Sequence, residues 1–475
     1  MKTKLLLAAM LAGFSVLLTG CFNNSDATTT PKNVIFLLGD GMGITTLTAA
    51  RIYKVGESGD LSIDTLPETA FIRTYSNNAQ VTDSAPSMAA YMTGVKMNNE
   101  VVSMSADTNA FDVNTGKSYV SGADTTCPTS GNGTAVTTLL ELAKTAGRGT
   151  GVVTTTRITH ATPAVTYAHI CHRDGENNIA AQLIPGGSGY NGALGDGVDV
   201  VLGGGRRHFL PSTVSGSKRT DARDLIAEMK AKNYTYVSSK AELDGVAASG
   251  GNKLVGLFTM DHMAYDLDRI PANEPSLAEM TGKAIDVLAK NQKGFFLMVE
   301  GGRIDHALHE TTAKKALQDT IAFDDAVKNA LDKMQVIDPG LKNTLIVVTA
   351  DHDHTMVLNG YAKRTGPTSA SNPGVLGLLR NVVSGNFEND VGGLPYTIIG
   401  FGNGESRPAA RTALTDAQVS GATYHQEAAV PMGPGSETHG GTDVFLGAAG
   451  VGADKFSGVM NNVDVFGLIK TAVGL

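Results

Sequence analysis

Three continuous apolar runs in this chain each deliver a carboxylate at their far end. Asn33-Val34-Ile35-Phe36-Leu37-Leu38 runs into Gly39-Asp40, Phe295-Phe296-Leu297-Met298-Val299 into Glu300, and Thr344-Leu345-Ile346-Val347-Val348-Thr349 into Ala350-Asp351. Runs of this kind, without polar alternation, read as strands buried on both faces and therefore as members of a parallel sheet. Parallel strands bring their carboxyl ends to one edge, where ligands of open α/β sheets bind. Acids gathered there repel one another unless cations neutralise them. The pattern predicts a layered α/β fold with metal at the strand ends. Gly39-Asp40-Gly41-Met42-Gly43 also has a faint likeness to a dinucleotide fingerprint, which is weak without a third glycine.

Histidines extend the argument. In Arg303-Ile304-Asp305-His306-Ala307-Leu308-His309, Asp305 and His309 are four apart and share one helical face, a spacing that suits two ligands of one zinc. His306 points elsewhere on the same helix. His352 follows Asp351, and His439 opens a glycine turn. Mixed oxygen and imidazole ligation without thiolate suits zinc in an open, catalytic site. Between these blocks lies Val81-Thr82-Asp83-Ser84-Ala85-Pro86-Ser87-Met88-Ala89-Ala90-Tyr91. Ser84 begins a helix-compatible run, and Pro86 falls where a first turn tolerates a missing N–H. A helix N-terminus favours negative charge, so Ser84 is a candidate nucleophile; the plainer reading makes Asp83 and Ser84 ordinary caps.

Val81-Thr82-Asp83-Ser84-Ala85 resembles the nucleophile motif of the alkaline phosphatases, Val-x-Asp-Ser-Ala. Tyr91 stands where that family usually has a threonine, and Met88 where a small residue is common. The likeness recurs in blocks from about Lys32 to the C-terminus. Thr154-Thr155-Thr156-Arg157-Ile158-Thr159-His160-Ala161-Thr162-Pro163 looks like the family's magnesium-side segment, Arg173 stands where it carries a phosphate-clamping arginine, and Glu437-Thr438-His439-Gly440-Gly441-Thr442-Asp443-Val444 resembles its last zinc-ligand motif.

This resemblance implies an alkaline-phosphatase-like three-layer sandwich, with a large, mainly parallel central sheet flanked by helices. It implies a first zinc on Asp305, His309 and His439, and a second on Asp40, Ser84, Asp351 and His352. Magnesium would sit on Asp40, Thr162 and Glu300. Zinc is the alternative there, because His160 and His306 occupy positions where some members carry aspartate and lysine. His160, His306 and His354 would stand behind the ligands. The implied activity is hydrolysis of small phosphomonoesters through a phosphoserine on Ser84, with Arg173 clamping phosphate, in a homodimer or, as in some members, a monomer. Sulfatases of the superfamily carry arginine where Met88 stands, and its phosphodiesterases commonly use threonine without the clamp. A phosphate-scavenging lipoprotein is the non-catalytic alternative.

At the start of the chain Lys2 and Lys4 precede the apolar run Leu5 to Leu18, shorter than the ~20 residues that span a bilayer. Residues 1–20 read as a secretory signal, and Leu18-Thr19-Gly20-Cys21 resembles the lipobox of bacterial lipoproteins, which implies a lipidated Cys21. Residues 21–31 read as a polar tether and 32–475 as the catalytic domain, with a variable lid or insertion at about 359–435, rich in scattered glycine, proline and asparagine. The expected place is the bacterial cell envelope, lipid-anchored and facing the periplasm, with no other membrane contact. A formal charge of −8 argues against a general nucleic-acid binder. Cys127 and Cys171 are then the remaining cysteines in a compartment where disulfides persist, and the sequence leaves their pairing open.

Overall fold

The computed structural model describes residues 33–248 and 253–475; the signal, Cys21 and the tether lie outside them. The first apolar run forms β1 (Asn33–Gly39), buried from its second residue onward. Nine more strands join it: β2 (Glu68–Arg73), β3 (Gly149–Arg157), β4 (Val200–Gly204), β5 (Tyr234–Val237), β6 (Lys253–Leu257), β7 (Phe295–Gly301), β8 (Thr344–Ala350), β9 (Val444–Gly450) and β10 (Gly458–Asn461). The sheet is ten-stranded, in the order β10-β2-β9-β8-β1-β7-β3-β4-β6-β5. All strands run parallel except β9, which is antiparallel to both neighbours. Because β7 and β8 are buried along their whole length, both faces of the sheet are covered.

Among the helices that flank the sheet are α1 (Ile44–Val55), α2 (Ser84–Thr93), α3 (Leu277–Leu288), α4 (Arg303–His309), α5 (Ala313–Ile337) and α6 (Asn462–Val473). Helices α1, α3 and α4 pack on α5, while α2 packs with α6. Local sequence sets their ends. In α3, Ser276 accepts from the Glu279 N–H and the Glu279 carboxylate accepts from the Ser276 N–H, a reciprocal cap that starts the helix. Its buried Leu277, Met280, Ala284, Ile285 and Leu288 recur at helical spacing.

Register decides where the acids meet. Leu38 lies opposite Thr349 on one side and Glu300 on the other, and Thr154 lies opposite Glu300. Asp40, Glu300 and Asp351 therefore share one edge of the sheet. The turn after β1 needs glycine: Gly41 has φ 66°, and a Cβ there would lie 2.5 Å from His354 Nε2. Close packing within the protein accounts for the glycines around Asp40: Gly41 lies against His354, Gly43 against Asp353 and Gly39 against Met42.

Segment 359–435 is woven into the body. Its strands Ile399–Gly404 and Ala428–Pro431 form a small sheet with Met356–Leu358, and the Gln426 N–H donates to the Thr311 carbonyl just beyond α4. No helix among the described residues is long and apolar enough to cross a membrane.

Cys127 and Cys171 are bonded, closing a loop across a sequence separation of 44. The bridge ties the 120s loop to the segment that leads into Arg173. Loop-closure entropy for that separation is worth about 4 kcal/mol, so the double variant Cys127→Ala/Cys171→Ala should lose about that much in a denaturant titration under oxidising conditions.

Candidate active site

The site is built around the start of α2. Asp83, in an extended conformation, precedes the helix, and Ser84 is buried in its first turn. Two bonds hold the helix over the end of β8: the Ser87 hydroxyl donates to the Asp351 carbonyl at 2.7 Å, and the Tyr91 hydroxyl, two turns from the start, donates to the Ala350 carbonyl at 2.9 Å. Tyr91 also packs its ring 5.5 Å from that of Phe36 in β1. Ser84 Oγ consequently sits 3.2 Å from His352 Nε2.

The tautomer of His352 follows from its other nitrogen. Nδ1 lies 3.2 Å from the Asp353 carbonyl, which can only accept, so Nδ1 carries the proton. The Nε2 lone pair then faces Ser84, Asp40 Oδ1 at 3.3 Å and Asp351 Oδ2 at 3.6 Å. His309 and His439 repeat this device. His309 Nδ1 donates to the Glu437 carbonyl, and His439 Nδ1 donates to the Thr82 carbonyl at 2.8 Å. Their two bare Nε2 atoms stand 3.3 Å apart, and 3.3 and 3.6 Å from Asp305 Oδ1. Lone pairs at that separation repel, whereas a cation among them is bound by both rings and the carboxylate. The donor set therefore fits a metal, and its mixture of imidazole and carboxylate fits zinc.

His354 is engaged differently. Its Nε2 lies 2.8 Å from Asp305 Oδ1 and its Nδ1 2.5 Å from Glu437 Oε2. Burial opposes charge on this ring, but the bonds to Asp305 and Glu437 override it and push the imidazole up to about 10. With both nitrogens donating to carboxylates, His354 orients Asp305 from behind.

A third group lies on the other side of Asp40. Glu300 Oε2 accepts from the hydroxyls of Thr154 and, at 3.1 Å, Thr156, and the Thr162 hydroxyl is 3.4 Å from Asp40 Oδ2. Asp40 Oδ1, Glu300 Oε1 and Asp351 Oδ2 are buried without a hydrogen-bond partner. Burial, then the neighbouring Asp40, raises both Glu300, to about 8, and Asp351. Orphaned carboxylate oxygens of this kind fit divalent cations here as well.

His160 is closer to this group than a supporting role requires. One of its ring nitrogens lies within 4.8 Å of donor oxygens on Asp40 and Glu300. Arg173 donates to its Nε2 at 3.0 Å, and its Nδ1 is buried without a partner. His306 stands 5.4 Å away, ring to ring, and accepts at Nδ1 from Arg303 at 2.8 Å; burial drives its charged form down to about 3. Arg173 itself is wedged between His160 and Asp83, with which it forms an ion pair.

All the residues singled out in the sequence from Asp40 to His439 thus converge on one edge of the sheet, apart from the cysteine pair. Four neighbours were missed. The His262 ring lies edge-on, 4.2 Å from that of His306 and 5.3 Å from that of His160; as a lone histidine in a loop it carries no spacing signal. Glu437 accepts from the Thr355 N–H at 2.7 Å as well as from His354. Thr154 and Thr156 satisfy Glu300 from the adjacent strand, and their alternation along β3 was the available clue.

Comparison with known proteins places this geometry. The family model described as alkaline phosphatase matches residues 31–475. The tissue-nonspecific alkaline phosphatase of Gallus gallus is 37% identical over 466 residues, covering 90% of this chain and 82% of that protein. The membrane-bound alkaline phosphatase of Bombyx mori is 37% identical over 475 residues, covering 91% and 78%. Among solved structures, Thermus thermophilus alkaline phosphatase superposes with a TM-score of 0.65 at 26% identity, covering 97% of this chain and 96% of that one. The enzyme of the Antarctic bacterium TAB5 shares the fold, with a TM-score of 0.63 at 24% identity and coverage of 94% and 99%. A histidine-to-aspartate variant of the TAB5 enzyme, 25% identical to this chain, has magnesium bound in its M3 site.

Proposed function

Because this chain belongs to the alkaline phosphatase family, metal-dependent phosphomonoester hydrolases that work through a phosphoserine, we propose that Ser84 is the serine phosphorylated in each cycle. The observation that carries the assignment is its Oγ at the start of α2, 3.2 Å from the unprotonated nitrogen of His352. Asp305, His309 and His439 would hold one zinc, Asp40, Ser84, Asp351 and His352 a second, and Asp40, Thr162 and Glu300 magnesium or a third zinc. These ions would supply Lewis-acid charge and lower the pKa of bound water. The magnesium of the TAB5 variant supports a third site, and the nearness of His160 supports zinc as its alternative occupant.

Ser84 Oγ gives up its proton and forms a bond to phosphorus as the ester P–O bond breaks, and the leaving oxygen takes up a proton and departs as the alcohol. First-turn N–H groups of α2 and the Arg173 guanidinium face the negative phosphoryl oxygens. Water then attacks phosphorus, the P–Oγ bond breaks, Ser84 recovers its proton and phosphate leaves. Two in-line displacements give retention at phosphorus. Asp83 aims the Arg173 fork, which lysine cannot reproduce. Arg173→Lys should therefore raise KM for a monoester about tenfold or more, read from initial rates.

The substrate test compares kcat/KM for p-nitrophenyl phosphate, bis-p-nitrophenyl phosphate and p-nitrophenyl sulfate at alkaline pH. Strong preference for the monoester is expected, and preference for the diester or sulfate would overturn the assignment of Arg173 as monoester clamp. We read residues 32–475 as the catalytic domain with a variable lid or insertion at about 359–435, and the assembly as a homodimer or, as in some members, a monomer. Cys21 is read as the lipidated anchor of an exported, periplasm-facing protein, which Cys21→Ser should release from the membrane fraction.

A further inference from the structure

A second donor cluster lies outside these groups, on the far side of Arg173. Glu100, His172 and Asp174 each bring one ligand atom to within 4.8 Å of the others. Their backbone is tied to the phosphate clamp: the Glu100 N–H donates to Asp83 Oδ2 at 2.8 Å, and the Arg173 N–H donates to the Glu100 carbonyl at 2.8 Å. Neither the Glu100 nor the Asp174 carboxylate has a hydrogen bond or ion pair among the described residues. His172 is 5% exposed and aimed into the cluster. Its Nδ1 accepts a long bond from the Asp174 N–H at 3.2 Å, and its Nε2 makes no hydrogen bond among the described residues.

Charge makes this arrangement anomalous. Arg173 pairs with Asp83 and also faces Glu100 and Asp174, so three carboxylates share one guanidinium beside a site for a dianionic ester. Burial, then Asp83, holds Glu100 up at about 7, and the opposing pull of Arg173 does not offset them. The backbone at Glu100 has φ 74°, a region in which glycine is at ease and glutamate is not. The chain thus keeps a carboxylate where its conformation disfavours one.

We propose that Glu100, His172 and Asp174 form a further divalent-cation site, of the zinc class, that locks the Asp83–Arg173 clamp from behind. One imidazole and two carboxylates favour zinc or manganese over magnesium and calcium, which prefer oxygen alone. Ligation through one ring nitrogen leaves the ring proton on the other. A bound dication cancels the two charges and joins the Glu100 and Arg173 segments side by side. The site lies outside the three metal groups of the catalytic reading.

The test is equilibrium dialysis of the full-length protein against micromolar free zinc with excess magnesium, followed by elemental analysis of zinc per chain. Wild type should hold one zinc more than Glu100→Gln and one more than Asp174→Asn. Asp174 is exposed, so Asp174→Asn decides the matter even where Glu100→Gln folds poorly. Equal zinc in wild type and Asp174→Asn would overturn the proposal. Because the assay counts ions and needs no turnover, its result stands apart from the fate of the Ser84 assignment.

Discussion

Replacing Ser84 with alanine should lower kcat/KM for p-nitrophenyl phosphate by about 10³-fold or more, while the protein keeps its fold and its metals. The loss is large because no other hydroxyl can take its place. Ser87, the next serine in α2, donates its hydroxyl to the Asp351 carbonyl at 2.7 Å and lies one turn deeper. Thr82, before the helix, donates to the Asp83 carbonyl. Removing one oxygen from Ser84 leaves a cavity smaller than a water and breaks no backbone contact, so stability should move by less than about 1 kcal/mol. Residual turnover would measure what the phosphate clamp and the bound cations achieve with water as nucleophile, the kind of remainder left when one member of a catalytic unit is removed. The control is circular dichroism with elemental analysis on the same sample, which separates lost chemistry from lost structure.

Removal of metal should abolish activity and destabilise the protein in a pH-dependent way. Without cations the edge of the sheet buries Asp40, Glu300 and Asp351 together, and three of their oxygens have no hydrogen-bond partner. Burial and then Asp40 raise Glu300 from 4.5 to about 8, and Asp351 moves the same way. The folded metal-free chain therefore holds these protons more tightly than the unfolded chain does. Their contribution to stability is fully present below about pH 4.5 and is lost as pH rises toward 8. Chelator-treated protein should accordingly melt at a falling temperature between pH 5 and pH 8. Metal-loaded protein, in which the same charges are compensated, should not follow that fall. At pH 8 the gap between the two should reach about 10 °C or more, since each tightly held ion adds several kcal/mol by mass action. Differential scanning calorimetry across that range reads it directly. A pH-independent gap would mean that the buried acids are neutralised by something other than metal.

Much of this was legible in the sequence because the chemistry sits where regular elements end. Buried strands announce themselves by unbroken apolar runs, so β1, β7 and β8 and their acids can be placed from the residues alone. The strands run a residue or two past those runs: Gly39, Gly301 and Ala350 still pair in the ladder, which leaves Glu300 inside β7 rather than beyond it. Helical spacing gave Asp305 and His309 one face, and α4 bears that out. What stayed hidden depends on contacts between distant segments. His262 meets His160 and His306 only because two loops converge on α4, and a single histidine between Asp261 and Met263 has no periodicity to betray it. The role of Glu437 was obscured by its neighbour His439, the more conspicuous residue of that motif. In the sequence Thr154 and Thr156 stand out only as part of a magnesium-side segment, and their hydroxyls face Glu300 because β3 lies directly beside β7. The reversed strand β9 was likewise invisible, since strand direction is set by the path of the chain and not by the residues of the strand.

The most direct measurement of the central claim is mass spectrometry of the acid-quenched protein after brief exposure to a phosphomonoester, or to inorganic phosphate at mildly acidic pH. Cleavage after Arg73 and Lys96 gives a peptide, Thr74 to Lys96, that carries Ser76, Ser84 and Ser87. The account predicts a phosphoryl group on this peptide, located on Ser84 by fragmentation and absent from the Ser84→Ala protein. A phosphoryl group on another residue, or rapid monoester turnover with none trapped at any quench time, would contradict it.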